Sequence, residues 1–354
     1  MHVLNGEANG LVPDDDGPQL VEPGVWRIPL PLPFALREAN VYLIGGADEW
    51  VCVDSGLGTP EGDAALRAGL ERAGITVERI TTLVLTHAHP DHIGLAGLLH
   101  AVSGAPIHML AAEAERLFRV WGDPDLTALT RADAFLAANG MPTADVALID
   151  RANRSVRRAI HLPPEDAISP LADDEHIRLA GMDYRAIWTP GHSDYHLCLL
   201  REDGLFIAGD HILPRITPNI GLYPDARPNP LQDYLDALAR VRDLPVRLAL
   251  PGHGLPFADL AGRVDALRAH HAERAAQTLA LLAAAPAGTD AYQLAVDLFE
   301  GRLRTPDDHR FAVAETLAHL EALRAQGQVE RSEHAGHFLY AATAAAAVAI
   351  DHSY

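Results

Sequence analysis

Thr86-His87-Ala88-His89-Pro90-Asp91-His92 closes one apolar run and opens another. Before it, Thr82-Leu83-Val84-Leu85-Thr86 is short, apolar and β-branched, the pattern of an interior strand. After it, Ile93 to Val102 reads as an apolar helix, with Asp91 near its N-terminus, where a carboxylate is favoured. Residues two apart in an extended segment point the same way, so His87 and His89 converge on one point. The turn at Pro90 then brings Asp91 and His92 to a neighbouring point. Three imidazoles and a carboxylate within six positions predict two adjacent metal sites. The stretch holds no thiol, which excludes a closed, Cys-rich structural zinc site. A lone H-x-H is more often a solvated pair, and it is the full pattern at a strand end that is specific.

The 354 residues suffice for one large domain plus a small one, or for two of middling size. Apolar residues make up 48% and charged residues 21%, an ordinary globular balance. The formal charge of −20 argues against a general attraction to phosphate backbones or anionic membranes. Cys52 and Cys198 each lie in an apolar, strand-like run, so buried free thiols are expected rather than a disulfide. The first twenty residues lack a positive start and an apolar h-region, and no stretch approaches the ~20 apolar residues of a membrane span. The cytoplasm is the expected location, with no membrane partner.

Along the chain, residues 1–20 are polar and rich in Gly, Asp and Pro, and read as a loose leader. Strands are expected at Val25 to Leu30, Asn40 to Ile44 and Trp50 to Val53, then a helix over Pro60 to Ala73. From about 111 to 166 the pattern turns helical, over Ala112 to Trp121, Thr127 to Asn139 and Val146 to Ile160. This insertion carries Phe118, Val120, Trp121 and Phe135, and the basic cluster Arg151, Arg154, Arg157 and Arg158. It reads either as a cap whose apolar stripe is core and whose arginines are solvated, or as a lid shaping a substrate pocket. Strands resume from Ile177 to Ala208, followed by helices over Leu231 to Leu244 and Leu260 to Ala285. Pro286-Ala287-Gly288 marks a boundary, after which two helices and two strands to Tyr340 read as a winged helix, with 342–354 as tail. Two packed sheets with helices outside account for the alternation of strand and helix groups.

Three further motifs follow strands: Thr189-Pro190-Gly191-His192-Ser193, Ile207-Ala208-Gly209-Asp210 and Leu250-Pro251-Gly252-His253-Gly254. Singly each is weak, since glycine turns with polar neighbours are common. In this order, after T-H-x-H-x-D-H, they resemble the signature of the metallo-β-lactamase superfamily. The resemblance spans most of the chain beyond the leader and parts of the 111–166 insertion. It implies an αββα sandwich over 21–285, the helical insertion within it, and a C-terminal winged-helix domain over 286–341. It assigns His87, His89 and His192 to one metal ion and Asp91, His92 and His253 to a second, with Asp210 bridging. Asp54, in Val53-Asp54-Ser55-Gly56, matches the first motif of the superfamily, where the acid supports the site rather than ligating. His196 is a further supporting candidate, or an ordinary histidine at a strand start.

Histidine and carboxylate ligands without thiolate suit two divalent ions, Zn²⁺ first, with Fe or Mn as substitutes. Such a pair shares a hydroxide and stabilises the developing oxyanion, with Asp91 and Asp210 as the carboxylates at the reacting centre. The favoured reading is hydrolysis of a small thioester, ester or lactone. An endoribonuclease or phosphodiesterase with the same site is the alternative, and the winged helix is its best argument. Residues 289–341 hold five arginines against nine carboxylates, a net −4 where a nucleic-acid-binding wing should be basic. A third alternative is an iron-dependent sulfur dioxygenase, which would use one metal.

Overall fold

The structure, a computed structural model, describes residues 17–34, 36–46 and 49–346. Most of the expected leader (residues 1–16) and the end of the expected tail (347–354) lie outside the described residues. Seven strands in sequence order make the first sheet: β1 (Gln19–Glu22), β2 (Val25–Pro31), β3 (Glu38–Gly46), β4 (Glu49–Val53), β5 (Ile80–Val84), β6 (Ile107–Leu110) and β7 (Ile168–Leu171). Five make the second: β8 (His176–Leu179), β9 (Met182–Trp188), β10 (Leu197–Arg201), β11 (Leu205–Gly209) and β12 (Leu248–Pro251), ordered β12-β11-β10-β9-β8. The helices are α1 (Pro60–Ala73), α2 (Pro90–Ile93), α3 (Ala96–Ser103), α4 (Ala111–Leu117), α5 (Thr127–Ala138), α6 (Thr143–Arg158), α7 (Pro230–Val241), α8 (Leu260–Ala284), α9 (Ala291–Leu298) and α10 (Pro306–Ala325). A hairpin, β13 (Val329–His334) and β14 (His337–Ala342), follows α10.

The period-2 alternation of the strands builds three apolar layers. Tyr42 and Ile44 of β3, Val51 and Val53 of β4, Leu197 and Leu199 of β10, and Leu205 and Ile207 of β11 meet between the sheets. Their neighbours Val41, Leu43, Trp50 and Cys52 face α1 and α3, joining Leu66, Leu70 and Leu99. Cys198, Phe206 and Ala208 face the other way, onto Tyr234 and Leu238 of α7, Leu267 of α8 and Leu317 of α10. This is the expected αββα sandwich. Both cysteines are buried and free, and burial pushes the Cys198 thiol up to about 12.

Several details differ from the sequence reading. β1 starts at Gln19, inside the expected leader, because Pro23-Gly24 turns the chain and lets Leu20 pair with Trp26. β7 was not anticipated because Pro170 interrupts it, and it lies at the sheet edge, where a missing N–H is tolerated. The single helix expected over Ile93 to Val102 is two short ones, since the Gly94 N–H donates to the Gly56 carbonyl at 2.7 Å. For Phe118 and Trp121 the sequence leaves two readings, a core stripe or the lining of a lid. Trp121 is 7% exposed and packs with Phe118 onto the first-sheet core, while Phe135 packs against the second. Of the insertion's large apolar groups, Trp121 is core, Phe118, Val120 and Phe135 pack partly buried against the core, and Leu148 is exposed.

Candidate metal centre

β9, β11 and β12 run in one direction within the second sheet, so the turns after them share one edge. The turn after β5 meets that edge, tied across the sheets by the Leu197 N–H donating to the Thr86 carbonyl at 2.8 Å. This brings together His87, His89, Asp91, His92, His192, Asp210 and His253. Three groups form: His87, His89 and His192; His87, His92 and Asp210; and Asp91, His92 and His253. Within each, the candidate ligand atoms lie within 4.8 Å of one another.

The spacing fits metal coordination. His89 Nδ1 lies 2.9 Å from His87 Nε2 and 2.9 Å from His192 Nε2. Asp210 Oδ2 lies 3.4 Å from His192 Nε2, 3.5 Å from His92 Nε2 and 3.2 Å from His253 Nε2. Asp91 Oδ2 lies 3.5 Å from His253 Nε2 and 3.8 Å from His92 Nε2. Neighbouring ligands on a tetrahedral ion with ~2.0–2.1 Å bonds stand about 3.3 Å apart. His92 Nε2, His253 Nε2 and Asp210 Oδ1 are buried with no hydrogen-bond partner, although such atoms are normally satisfied. The residues present therefore fit a pair of divalent ions.

Each imidazole but His89 is anchored through its other nitrogen. His92 Nδ1 donates to Asp54 Oδ2 at 2.8 Å, His253 Nδ1 to the Glu38 carbonyl at 2.6 Å, and His192 Nδ1 to the Asn219 carbonyl at 3.0 Å. His87 Nδ1 lies 2.9 Å from Thr86 Oγ1, which itself donates to Asp54 Oδ2 at 3.0 Å. These contacts leave the Nε2 atoms free to face the cluster. Asp54 also accepts from the Thr86 N–H at 2.8 Å, and holds a positive φ of 58° to do so. His196 Nε2 accepts from the Asp210 N–H at 3.1 Å, so it positions the backbone of the central carboxylate. Gly252 is required by space: a Cβ there would meet Asp210 Oδ1 at 2.1 Å.

The electrostatics divide the cluster. Burial, with the neighbouring imidazoles, holds His87 and His89 well below the usual histidine range, in the neutral form a metal needs. Burial would also depress His92, but the carboxylates of Asp210, Asp54 and Asp91 outweigh it and hold it well above that range. Burial alone would raise Asp210, yet His253 and His92 keep it well below the carboxylate range. Those carboxylates draw positive charge, which protons or a divalent ion can supply.

Three contacts were not foreseen. Glu113 on α4 is fully buried, and its Oε1 accepts from the Ala88 N–H at 2.8 Å and from Ser193 Oγ at 2.5 Å. Glu38 and Asn219 act through backbone carbonyls, which carry no residue-type signal. Glu113 had none either, because Ala111-Ala112-Glu113-Ala114-Glu115 reads as any exposed helix.

Residues 35–253 match the family model of the metallo-beta-lactamase superfamily, and residues 276–343 match that of a metallo-beta-lactamase-like C-terminal domain. A metallo-beta-lactamase family protein from Thermus thermophilus superposes with a TM-score of 0.81 at 36% identity, covering 92% of this chain and 100% of its own. The probable metallo-hydrolase YqjP of Bacillus subtilis is 26% identical over 311 residues, 85% of this chain and 92% of that protein. An atrochrysone carboxyl ACP thioesterase of Aspergillus fumigatus is 25% identical over 260 residues, 72% of this chain and 63% of the thioesterase. Family model, overall superposition and the meeting of the strand-end motifs agree, and the chain belongs to the metallo-β-lactamase superfamily as a metal-dependent hydrolase.

Proposed function

We propose that this hydrolase uses two divalent ions, Zn²⁺ first and Fe or Mn as substitutes, to cleave a small acyl thioester, with esters and lactones as related substrates. His87, His89 and His192 would hold one ion, Asp91, His92 and His253 the other, and Asp210 both. The observation that carries the reading is Asp210 Oδ2, which stands 3.2–3.5 Å from ring nitrogens belonging to both groups. Once bound, such a pair supplies a water ionised near neutral pH and a Lewis acid for the acyl oxygen.

The protein's own part is orientation and charge. Asp54, Glu38 and Asn219 fix the rings, and His196 fixes the backbone of Asp210. Asp91, with 18% of its side chain exposed, is the most open carboxylate of the cluster. A thiolate leaves without help from a strong general acid, and no such acid stands among these motifs. The relative described as an ACP thioesterase supports the acyl class. The acidic segment 289–341 speaks against a nucleic-acid substrate. The division into a catalytic domain over 21–285 and a winged-helix-like domain over 286–341 belongs to the same reading, supported by α9, α10 and the β13–β14 hairpin. Among the described residues no helix is long and apolar enough to cross a membrane.

The test is turnover of an acyl thioester series against single-stranded RNA at low salt, with metal-loaded protein. Thioester cleavage that chelation abolishes is expected. RNA cleavage lost in Asp91→Ala, with every acyl substrate inert, would overturn the substrate class. One iron per chain at full activity would favour the dioxygenase.

A further inference from the structure

Glu113 lies outside every motif that names the metal centre, yet it touches two of them. It sits in the first turn of α4, directly after β6, and has no exposed surface, whereas Glu115 two residues on is exposed. Its Oε1 accepts from the Ala88 N–H at 2.8 Å and from Ser193 Oγ at 2.5 Å. Ala88 separates His87 from His89, and Ser193 follows His192. One carboxylate oxygen thus joins the two chain segments whose three ring nitrogens meet at 2.9 Å. Arg116, one turn further along, places Nη1 3.8 Å from the same Oε1 and 3.5 Å from Ser193 Oγ. From the next turn, Trp121 Nε1 donates to the Ala88 carbonyl at 2.8 Å. Both polar groups of the Ala88 backbone are therefore held by the start of the helical insertion.

We infer that Glu113 is a positioning residue for the His87/His89/His192 site, clamping the β5 turn to the β9 turn. A buried carboxylate is a costly way to gain stability, since apolar packing of the same volume serves as well. What it supplies is direction: a charged acceptor fixes the Ala88 N–H and the Ser193 hydroxyl at once. Asp54 does the equivalent for His92 on the other side, through the Thr86 N–H and His92 Nδ1. Apart from Arg116 on its own helix, its contacts are with Ala88 and Ser193, so the clamp acts on the site that His87, His89 and His192 share.

The inference rests on the metal reading above, and the experiment separates the two. Zn²⁺ binding by metal-free protein is titrated in two parent variants: His253→Ala, which retains the His87/His89/His192 site, and His89→Ala, which retains the other. Glu113→Ala added to His253→Ala should weaken Zn²⁺ about 10–100-fold, the range for losing a ligand's supporting partner. Added to His89→Ala it should change the affinity little. Glu113→Gln, which keeps a carbonyl for the Ala88 N–H, should recover most of the loss. Hydrogen exchange of the Ala88 amide in the metal-free single variant should quicken with Glu113→Ala, while thermal unfolding shows that the chain still folds. Ser193→Ala removes one arm alone and should give a smaller loss confined to the same site. Equal losses in both parents, or no loss in either, would overturn the clamp. Parents that bind no Zn²⁺ at all would overturn the metal reading and the clamp with it.

Discussion

Asp54 Oδ2 stands 2.8 Å from His92 Nδ1, both side chains buried, and Asp54 reaches this position from the turn after β4 with a left-handed backbone. The same carboxylate accepts from the Thr86 N–H and hydroxyl, so it holds both ends of the central motif. Asp and Asn enter the left-handed region more readily than other non-glycine residues.

Asp54→Ala should lower metal affinity and turnover by about 10–100-fold through loss of the His92 orientation. It should also destabilise the fold by ~1–3 kcal/mol, because the buried Thr86 N–H loses its acceptor. Asp54→Asn keeps that acceptor and tolerates the backbone, so it should recover most of the stability. Metal titration and thermal unfolding of both variants decide the matter; equal destabilisation would show that the Thr86 bond contributes nothing.

Gly252→Ala should strip metal from the folded protein. The new Cβ would stand 2.1 Å from Asp210 Oδ1 and 2.9 Å from His92 Cε1, so both side chains must move. Loss of at least about tenfold in affinity, with circular dichroism unchanged, is the expected result, in line with disturbed ligand support. Elemental analysis after gentle purification reads it directly, and full occupancy would refute the steric argument.

Acid should weaken the far end of the sandwich through Glu22 and Asp203. Hydrogen bonds from Arg247 to Glu22 and from Arg201 to Asp203 hold both carboxyls below their ordinary values of 4.5 and 3.8. A carboxyl depressed in the folded state contributes stability that is present above its unfolded pKa and lost as pH falls through the folded one. Stability should therefore drop as pH falls below about 4–5, the unfolded range of these groups. Arg201→Ala should reduce stability at pH 7 by about 1–3 kcal/mol, less than full burial would give, because Asp203 is about one-third exposed. It should also flatten the acid dependence. Denaturant unfolding of both proteins from pH 7 to pH 3 tests the sign, and parallel curves would contradict it.

The sequence by itself determined the sandwich and the candidate ligand set. Short apolar runs over β3, β4, β10 and β11 are a local pattern that marks buried strands, while the packing of the two sheets decides which residue faces which layer. The candidate ligands stand in local patterns too: each follows a strand, and three of the four stretches use glycine to make room. The ends of α1 were legible, but the edge strand β7 was not, because Pro170 is acceptable only where no further strand pairs. Tertiary structure alone decided what supports the candidate ligands. Glu113 looks like a solvated helical glutamate until the β5 and β9 turns bury it. Glu38 and Asn219 contribute carbonyl oxygens that every residue possesses, and Trp121 becomes core only when α4 folds back onto Ala88. Local periodicity encodes which face is apolar, whereas a hydrogen bond between residues 25 or 80 positions apart depends on where the whole chain has placed them.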